Sequence, residues 1–291
     1  MLRELADRGT VHAAAIALSM TPSAVSQQLK RLQREVGVEL LEPDGRRLRL
    51  TDAGKVLVAH ADEVLAALDR AQADMDSFRN IPRGCLRVAM VPSAAVLLLP
   101  RLITEAARIG VTVVGRDIGH SAAAAPELLA DHDVVVTDRD ESDLSQWGAR
   151  IEATHLLCET LELVLHPDHH LAGAERVALQ ELAHCPWISV GIGHMADDVL
   201  RSLAVQSGVQ PRIVQRIDDF RVVEELVLAG VGVALLPRYT AVDGRLVRKP
   251  VDGVNVARRI EAITRAGAGT RPAVAAATEI LKDAAARVTT R

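Results

Sequence analysis

The stretch Thr21-Pro-Ser-Ala-Val-Ser-Gln-Gln-Leu-Lys-Arg-Leu-Gln-Arg34 decides how this chain is read. Thr21 offers a hydroxyl to an otherwise unpaired N–H of a first helical turn, and Pro22 falls at the first helical position, where its missing N–H costs nothing. Val25, Leu29, Leu32 and Val36 then recur at helical spacing as an apolar stripe. Ser23, Ser26, Gln27, Lys30 and Arg34 fill the opposite stripe, and no acid interrupts it before Glu35. Short hydrogen-bonding side chains followed by cations suit base edges first and phosphates next, with Arg31 beside them as a further phosphate candidate.

Upstream, Val11-His-Ala-Ala-Ala-Ile-Ala-Leu18 reads as a short helix, and Ser19-Met20 leaves room only for a tight turn. Ala13, Ala14 and Ala17 let two helices cross closely, as a helix-turn-helix requires. A plain helical hairpin with a solvated charged face is the alternative. Downstream, Gly37 ends the helix and Pro43-Asp44-Gly45 is turn chemistry. Arg46, Arg47 and Arg49 follow, alternating with Leu48 and Leu50. This pattern predicts a β-hairpin wing whose arginines reach a phosphate backbone or a minor groove.

Thr51-Asp-Ala-Gly54 opens a long helix running to about Phe78. Leu57, Ala61, Val64, Leu68, Ala71 and Met75 step by four and three, the spacing of a coiled-coil seam. The seam predicts dimerisation through residues 52–79, which sets two reading helices on one duplex. Asn80-Ile-Pro-Arg-Gly84 has hinge composition.

Beyond the hinge, short apolar strands alternate with helical patterns. Strands are expected at Leu86–Val91, Val111–Val114, Asp133–Thr137, Leu161–Leu165, Trp187–Val190, Val231–Leu236 and Arg259–Thr264, with helices at 100–109 and 122–130. Such alternation predicts parallel-rich sheets, two sub-domains, and a ligand at the strand ends between them.

The 291 residues are 49% hydrophobic but only 2% aromatic, so the cores must be aliphatic. Residues 1–60 hold nine Lys/Arg against seven acids, a balance of +2 that leaves −6 of the net −4 on the remainder. A mildly basic head on an acidic body fits a DNA-binding unit joined to a small-molecule unit. The odd, scattered Cys85, Cys158 and Cys185 give neither a disulfide framework nor zinc spacing. The charged N-terminus is unlike a secretory signal, and Val88–Pro100 is too short to span a bilayer, so a cytoplasmic protein is expected.

Gly191-Ile-Gly-His-Met-Ala196 superficially fits a dinucleotide fingerprint, but Asp218 and Asp219 match the required ribose-binding acid only loosely. The same loop at a helix N-terminus offers Gly191, Gly193 and His194 to a small anion. Ser93 and Ala94 occupy another strand-to-helix junction, and Thr137 ends a strand; all three are effector candidates, Ser93 serving equally as a plain helix cap. His166, His169 and His170 lack the partners of a metal site and read as a polar turn. No Ser-His-Asp order and no HExxH motif is present.

Taken together and in order, these elements resemble the LysR-type transcriptional regulators. The resemblance runs through Ala14-Ala15, Ser26-Gln-Gln-Leu-Lys-Arg-Leu32, Gly37-Val-Glu-Leu-Leu41, Leu50-Thr-Asp-Ala-Gly54 and Leu99-Pro100. It continues through Pro167-Asp-His-His-Leu-Ala172, Leu182-Ala183 with Pro186-Trp-Ile188, and Leu226–Pro237, so it covers essentially the whole chain. It implies an α/β protein with an α-rich N-terminal unit: a winged helix-turn-helix at 1–51, a linker helix at 52–79, and a two-subdomain effector domain at 85–291 like the periplasmic binding proteins. The first subdomain would be about 85–157 plus 265–291, the second about 158–264. Met1–Arg8 supplies only the end of the family's first helix, and Leu41 and Pro43 stand where many relatives carry Phe and Arg. The expected partners are double-stranded DNA, an anionic or amino-acid-like effector, and further copies of the chain in a homodimer or homotetramer. No cofactor, metal, membrane partner or catalysis is expected. The alternative is an α/β nucleotide-cofactor enzyme with an incidental helical N-terminus.

Overall fold

A computed structural model of the chain describes residues 1–44, 47–78, 84–118, 125–140, 147–192, 194–240, 244–252 and 257–290. At its start, α1 (Leu2–Arg8), α2 (Val11–Ala17) and α3 (Pro22–Val36) close on Leu2, Leu5, Ala14, Ala15, Val25 and Leu29. Ala14 and Ala15 are fully buried where the helices cross, whereas Ala13 is half-buried and Ala17, expected at the crossing, is exposed. Thr10 Oγ1 accepts the Ala13 N–H and Thr21 Oγ1 the Ala24 N–H, each at 3.2 Å, and Gly37 ends α3 in the left-handed region at φ 77°. Val36 departs from the expected stripe: it is 44% exposed, because the last turn of α3 projects past its neighbours.

The wing is β1 (Leu41–Asp44) against β2 (Arg47–Leu50), antiparallel from Leu41↔Leu50 to Asp44↔Arg47. Gly45 and Arg46 lie outside the described residues. Gln33 ties the wing to the helix, its Oε1 accepting the N–H groups of Leu40 (3.2 Å) and Leu41 (3.0 Å).

The long helix α4 (Asp52–Phe78) carries the expected seam in two parts. Leu57 packs on the three-helix core, and Ala61 lines an apolar groove with Leu2, Leu18, Leu32 and Leu65. Val58, one position off the seam, is the residue buried completely. Val64 and Leu68 are about 60% exposed, Ala71 is exposed, and the Met75 side chain lies outside the described residues. A four-three spacing states which residues share a face, not what covers it. Here the chain's own head covers the first half of that face.

The remainder contains β3 (Cys85–Met90), α5 (Pro92–Arg108), β4 (Thr112–Asp117), α6 (Ala125–Leu128), β5 (Val134–Asp140) and β6 (Ile151–Leu165). It continues with β7 (Pro186–Ser189), α7 (Met195–Ser207), β8 (Arg212–Arg216), α8 (Phe220–Leu228), β9 (Ala234–Pro237), β10 (Val247–Lys249), β11 (Ala257–Arg265) and α9 (Pro272–Thr289). Parallel pairing holds for β3 with β4 and β5, and for β7 with β8. The other ladders are antiparallel: β11 with β5 and β6, and β6 with β9 and β10. This corrects the parallel-rich expectation. Alternating strands and helices enforce parallel neighbours only inside each βαβ unit, and β6 and β11 lie outside those units.

Strand β6 joins two bodies. Its first part, Ile151–Thr160, pairs β11, and Leu161–Leu165 pairs β9 and β10. Because β11 belongs to the sheet of β5, the chain has returned to the first body by Ala257, upstream of the expected boundary at 264. The first body is built on Leu86, Val88, Met90, Leu98, Val136 and Leu281, the second on Leu161, Leu163, Leu165, Leu182, Trp187 and Leu200. Helix α5 begins at Pro92, not at Pro100, with one proline at its permissive first position and the other inside it. Strands β8 and β10 and the first half of β6 were not anticipated, since their residues do not form short apolar runs.

Candidate functional site

Helix α3 presents Ser23, Gln27, Lys30 and Arg34 exposed along one stripe, with Ser26 half-buried at its edge. Gln27 and Lys30 have no side-chain hydrogen-bond or ion-pair partner among the described residues, so both are free to engage a ligand. Thr21 is committed to its cap and stands 3.0 Å from the Ser23 hydroxyl. Arg34 Nε reaches back to the Lys30 carbonyl at 3.4 Å. Two predicted phosphate contacts carry internal partners instead: Arg31 pairs with Glu35 at 2.7 Å, and Arg49 pairs across the wing with Glu42 at 2.9 Å. Both pairs are exposed, so a phosphate can displace the carboxylate at little cost. Arg46 and the Arg47 side chain lie outside the described residues.

The second candidate region lies between the two bodies. Ser93, in the first turn of α5, is 5% exposed, and its Oγ accepts a hydrogen bond from Arg258 Nη1 at 2.8 Å. Arg258, 3% exposed on β11, also donates to Glu159 Oε1 (2.6 Å), Asp138 Oδ2 (3.1 Å) and Thr240 Oγ1 (3.1 Å). Glu159 in turn accepts the Tyr239 N–H at 3.0 Å. One buried guanidinium thus joins the start of α5, the end of β5 and the segment after β9. Above it opens a cleft of about 360 Å³, bordered by Ser93, Val96, Asp117, Asp218, Asp219 and Arg221 among others.

The other sequence-predicted residues are not gathered there. Ala94 is fully buried in the core beneath α5. Thr137 is 1% exposed and its Oγ1 has no hydrogen-bond partner among the described residues. Val134 and Val136 face the α5 side of the sheet and Val135 faces α6, so strand alternation turns Thr137 to the α6 side, away from Ser93. Gly193 lies outside the described residues. The Gly191 N–H donates to Asp218 Oδ1 at 2.7 Å, and His194 Nε2 stands 3.8 Å from the same oxygen. The anion expected at the glycine loop is therefore one the chain supplies. Asp219 likewise caps α8, accepting the Arg221 N–H at 2.9 Å.

Sequence reading missed Arg258 and Glu159, and named Asp218 only as a loosely placed ribose-binding acid, not as the partner of the Gly191 loop. Arg258 and Glu159 lie in strands that mix charged and apolar residues, Ala257–Arg265 and Ile151–Leu165, so neither stands out from its neighbours. Their meeting across 99 positions leaves no local trace.

Cys185 Sγ lies 3.6 Å from His169 Nε2. Burial pushes the Cys185 thiol up, while burial and the neighbouring His170 and His166 push the His169 imidazole down. Both effects favour uncharged partners, the opposite of an activated thiolate pair. Among the described residues no three His, Cys, Asp or Glu are grouped to hold a metal ion, and no helix is long and apolar enough to cross a membrane.

Two family models match the parts of the chain that carry these regions. The family model for the LysR substrate binding domain matches residues 79–286, and that for the bacterial regulatory helix-turn-helix protein of the lysR family matches residues 1–55. The chain belongs to the LysR family. Among relatives of this LysR-family chain, the HTH-type transcriptional regulator CbbR of Rhodospirillum rubrum is 28% identical over 284 residues, covering 94% of this chain and 90% of CbbR. A probable hydrogen peroxide-inducible genes activator of Mycobacterium leprae is 27% identical over 240 residues, covering 81% and 75%. Full-length CbnR complexed with its target DNA shares the fold at a TM-score of 0.53 and 23% identity, covering 98% of this chain and 97% of CbnR. The regulatory domain of Synechocystis CcmR in complex with 2-PG matches at a TM-score of 0.59 and 19% identity, over 69% and 96%. This LysR-family chain is a DNA-binding transcriptional regulator with an effector-binding domain.

Proposed function

We propose that two copies of this regulator grip one duplex, each inserting α3 into the major groove, and that a small molecule in the cleft over Ser93 alters how the two heads are set. Ser23 and Gln27 read base edges, Ser26 supports them from the edge of the stripe, and Thr21 fixes the entry of the helix. Gln27, with donor and acceptor on one amide, matches adenine. Lys30 and Arg34 hold phosphates, joined by Arg31, Arg49 and the remaining wing arginines, Arg46 and Arg47. The observation that carries this reading is the exposed, acid-free line Ser23–Gln27–Lys30–Arg34 on a helix fixed at both ends by its own caps. The second copy packs along α4, where Val64, Leu68 and Ala71 remain exposed and continue the groove at Ala61 and Leu65. The protein acts in the cytoplasm on the DNA found there, and it carries out no reaction of its own.

Selection of bound duplexes from a random pool tests the assignment. The full-length protein enriches a pseudo-palindromic site, and Gln27→Ala relaxes the preference at one position per half-site by about 1–3 kcal/mol. An unchanged preference in Gln27→Ala removes Gln27 from the reading surface. A protein that stays monomeric at micromolar concentration and retains no duplex overturns the whole reading.

A further inference from the structure

The charge of the cleft specifies the kind of molecule it takes, an inference that rests on the effector reading above. The helix N-terminus and the glycine loop beside the cleft each already hold an anion of the chain's own. The N-terminus of α8 is capped by Asp219, the Gly191 loop before α7 is filled by Asp218, and the first turn of α7 adds Asp197 and Asp198. Asp197, 1% exposed, is itself engaged by Ser189, Arg216 and Arg201. At the floor, the Arg258 guanidinium faces the two carboxylates of Glu159 and Asp138. On the walls, Arg221 shares the lining with three acids, Asp117, Asp218 and Asp219. An arriving anion would meet more negative than positive charge at both levels. The segments 119–124, 141–146, 241–243 and 253–256 contain no Lys or Arg, so they cannot reverse this balance.

A second observation points to a ligand independently of these acids. Ser93 is more than nine-tenths buried on the cleft wall, and its oxygen is held as an acceptor by Arg258. The hydroxyl hydrogen is thereby left without an acceptor among the described residues. A buried donor without an acceptor is costly until a partner arrives.

We propose that the effector is an amino-acid-like molecule of neutral or positive net charge. A protonated amino or guanidino group sits among Asp117, Asp218 and Asp219, and a carboxylate or carbonyl oxygen of the same molecule takes the Ser93 hydroxyl hydrogen. Of the two ligand classes compatible with the sequence, the geometry selects the amino-acid-like one and turns away simple anions.

The test is calorimetric titration of the full-length protein at matched ionic strength. The amine probes are L-arginine, L-lysine and agmatine, and the anion probes are succinate and phosphoenolpyruvate. Saturable binding is expected for at least one amine and for neither anion. Affinity for that amine should fall about tenfold or more in Asp117→Asn and in Asp219→Asn, as expected for loss of a charge-assisted contact. Asparagine is as good a helix cap as aspartate, so Asp219→Asn keeps α8 intact, and an unchanged melting temperature verifies this. Anion binding that is unaffected or strengthened in Asp117→Asn overturns the charge class while leaving the effector-responsive regulator standing. Amine binding indifferent to both substitutions also overturns it. Failure of all five probes at millimolar concentration overturns the proposal, and unaltered duplex selection in the same preparation shows that the DNA-binding reading survives.

Discussion

Asp7 and Arg265 stand 258 positions apart in the chain, yet Arg265 Nη2 donates to Asp7 Oδ2 at 2.8 Å. The same arginine nitrogen reaches the Leu129 carbonyl at 2.7 Å, and the other Asp7 oxygen accepts from Arg150 at 3.2 Å. Arg150 also bonds Asp62 of α4 at 2.8 Å. The first helix of the DNA-binding head and the early part of α4 are thereby tied to the first body of the effector-binding domain. Asp7→Asn removes a charge whose side chain is only 8% exposed and weakens its contacts with the guanidiniums of Arg150 and Arg265. A loss of about 1–3 kcal/mol in denaturant unfolding is expected, and it should shrink in high salt. Equal stability of the two proteins at low salt would mean that the tie contributes nothing.

The Arg8–Asp131 pair bridges the same two parts, with Nη2 bonded to Oδ1 at 2.6 Å. The hydrogen bond from Arg8 holds the Asp131 carboxyl below the usual aspartate range, outweighing the small opposing effect of burial. For an acid depressed in the folded state, the stabilisation is complete above the unfolded-state value near 4 and disappears as pH falls through the folded-state value. The stability difference between the parent and Asp131→Asn should therefore be flat from about pH 5 to 8 and vanish only in more acidic solution. A difference that changes between pH 6 and 8 contradicts the assignment.

At Arg258 and Glu159 the balance of charge is set in the interior. Both side chains are at most 4% exposed. Arg258→Met should cost about 3–5 kcal/mol, because Glu159 is left buried without its counter-ion. Adding Glu159→Gln to that variant should recover a large part of the loss, since a neutral amide no longer needs the cation. Urea unfolding of the two single variants and the double variant measures the coupling. Additive losses would show that the two groups do not act as a pair.

Gly54 is needed where α4 begins beneath the wing. A Cβ there would lie 2.2 Å from the Leu40 carbonyl oxygen, and that carbonyl belongs to the backbone that leads into β1. Gly54→Ala must push wing and helix apart, at a cost of about 1–3 kcal/mol by analogy with overpacked cores. Duplex affinity should fall together with the melting temperature, because the wing arginines move with the strand. Normal melting and normal duplex affinity would refute the close approach.

What the order of residues settled was enforced within one or two turns of chain. The caps at Thr21 and Gly37, the Ala14–Ala15 crossing, the hairpin of Leu41–Leu50 and the span of α4 follow from hydrogen bonds and steric fits between near neighbours, so they are legible in a local pattern. Periodicity also showed that Leu57, Ala61, Val64 and Leu68 share a face. It could not show that the head covers Leu57 and leaves Leu68 in solvent, because coverage depends on which surfaces meet after the chain has turned back on itself. The same holds for β6 and β11, whose antiparallel ladder joins residues about a hundred positions apart. It holds also for the carboxylate of Asp218, which reaches the Gly191 loop from 27 positions away and fills a place that the loop alone presents as an anion site. Charge pairing and burial are properties of distances in space. Only folding brings Arg258 to Ser93 and so gives the cleft its character.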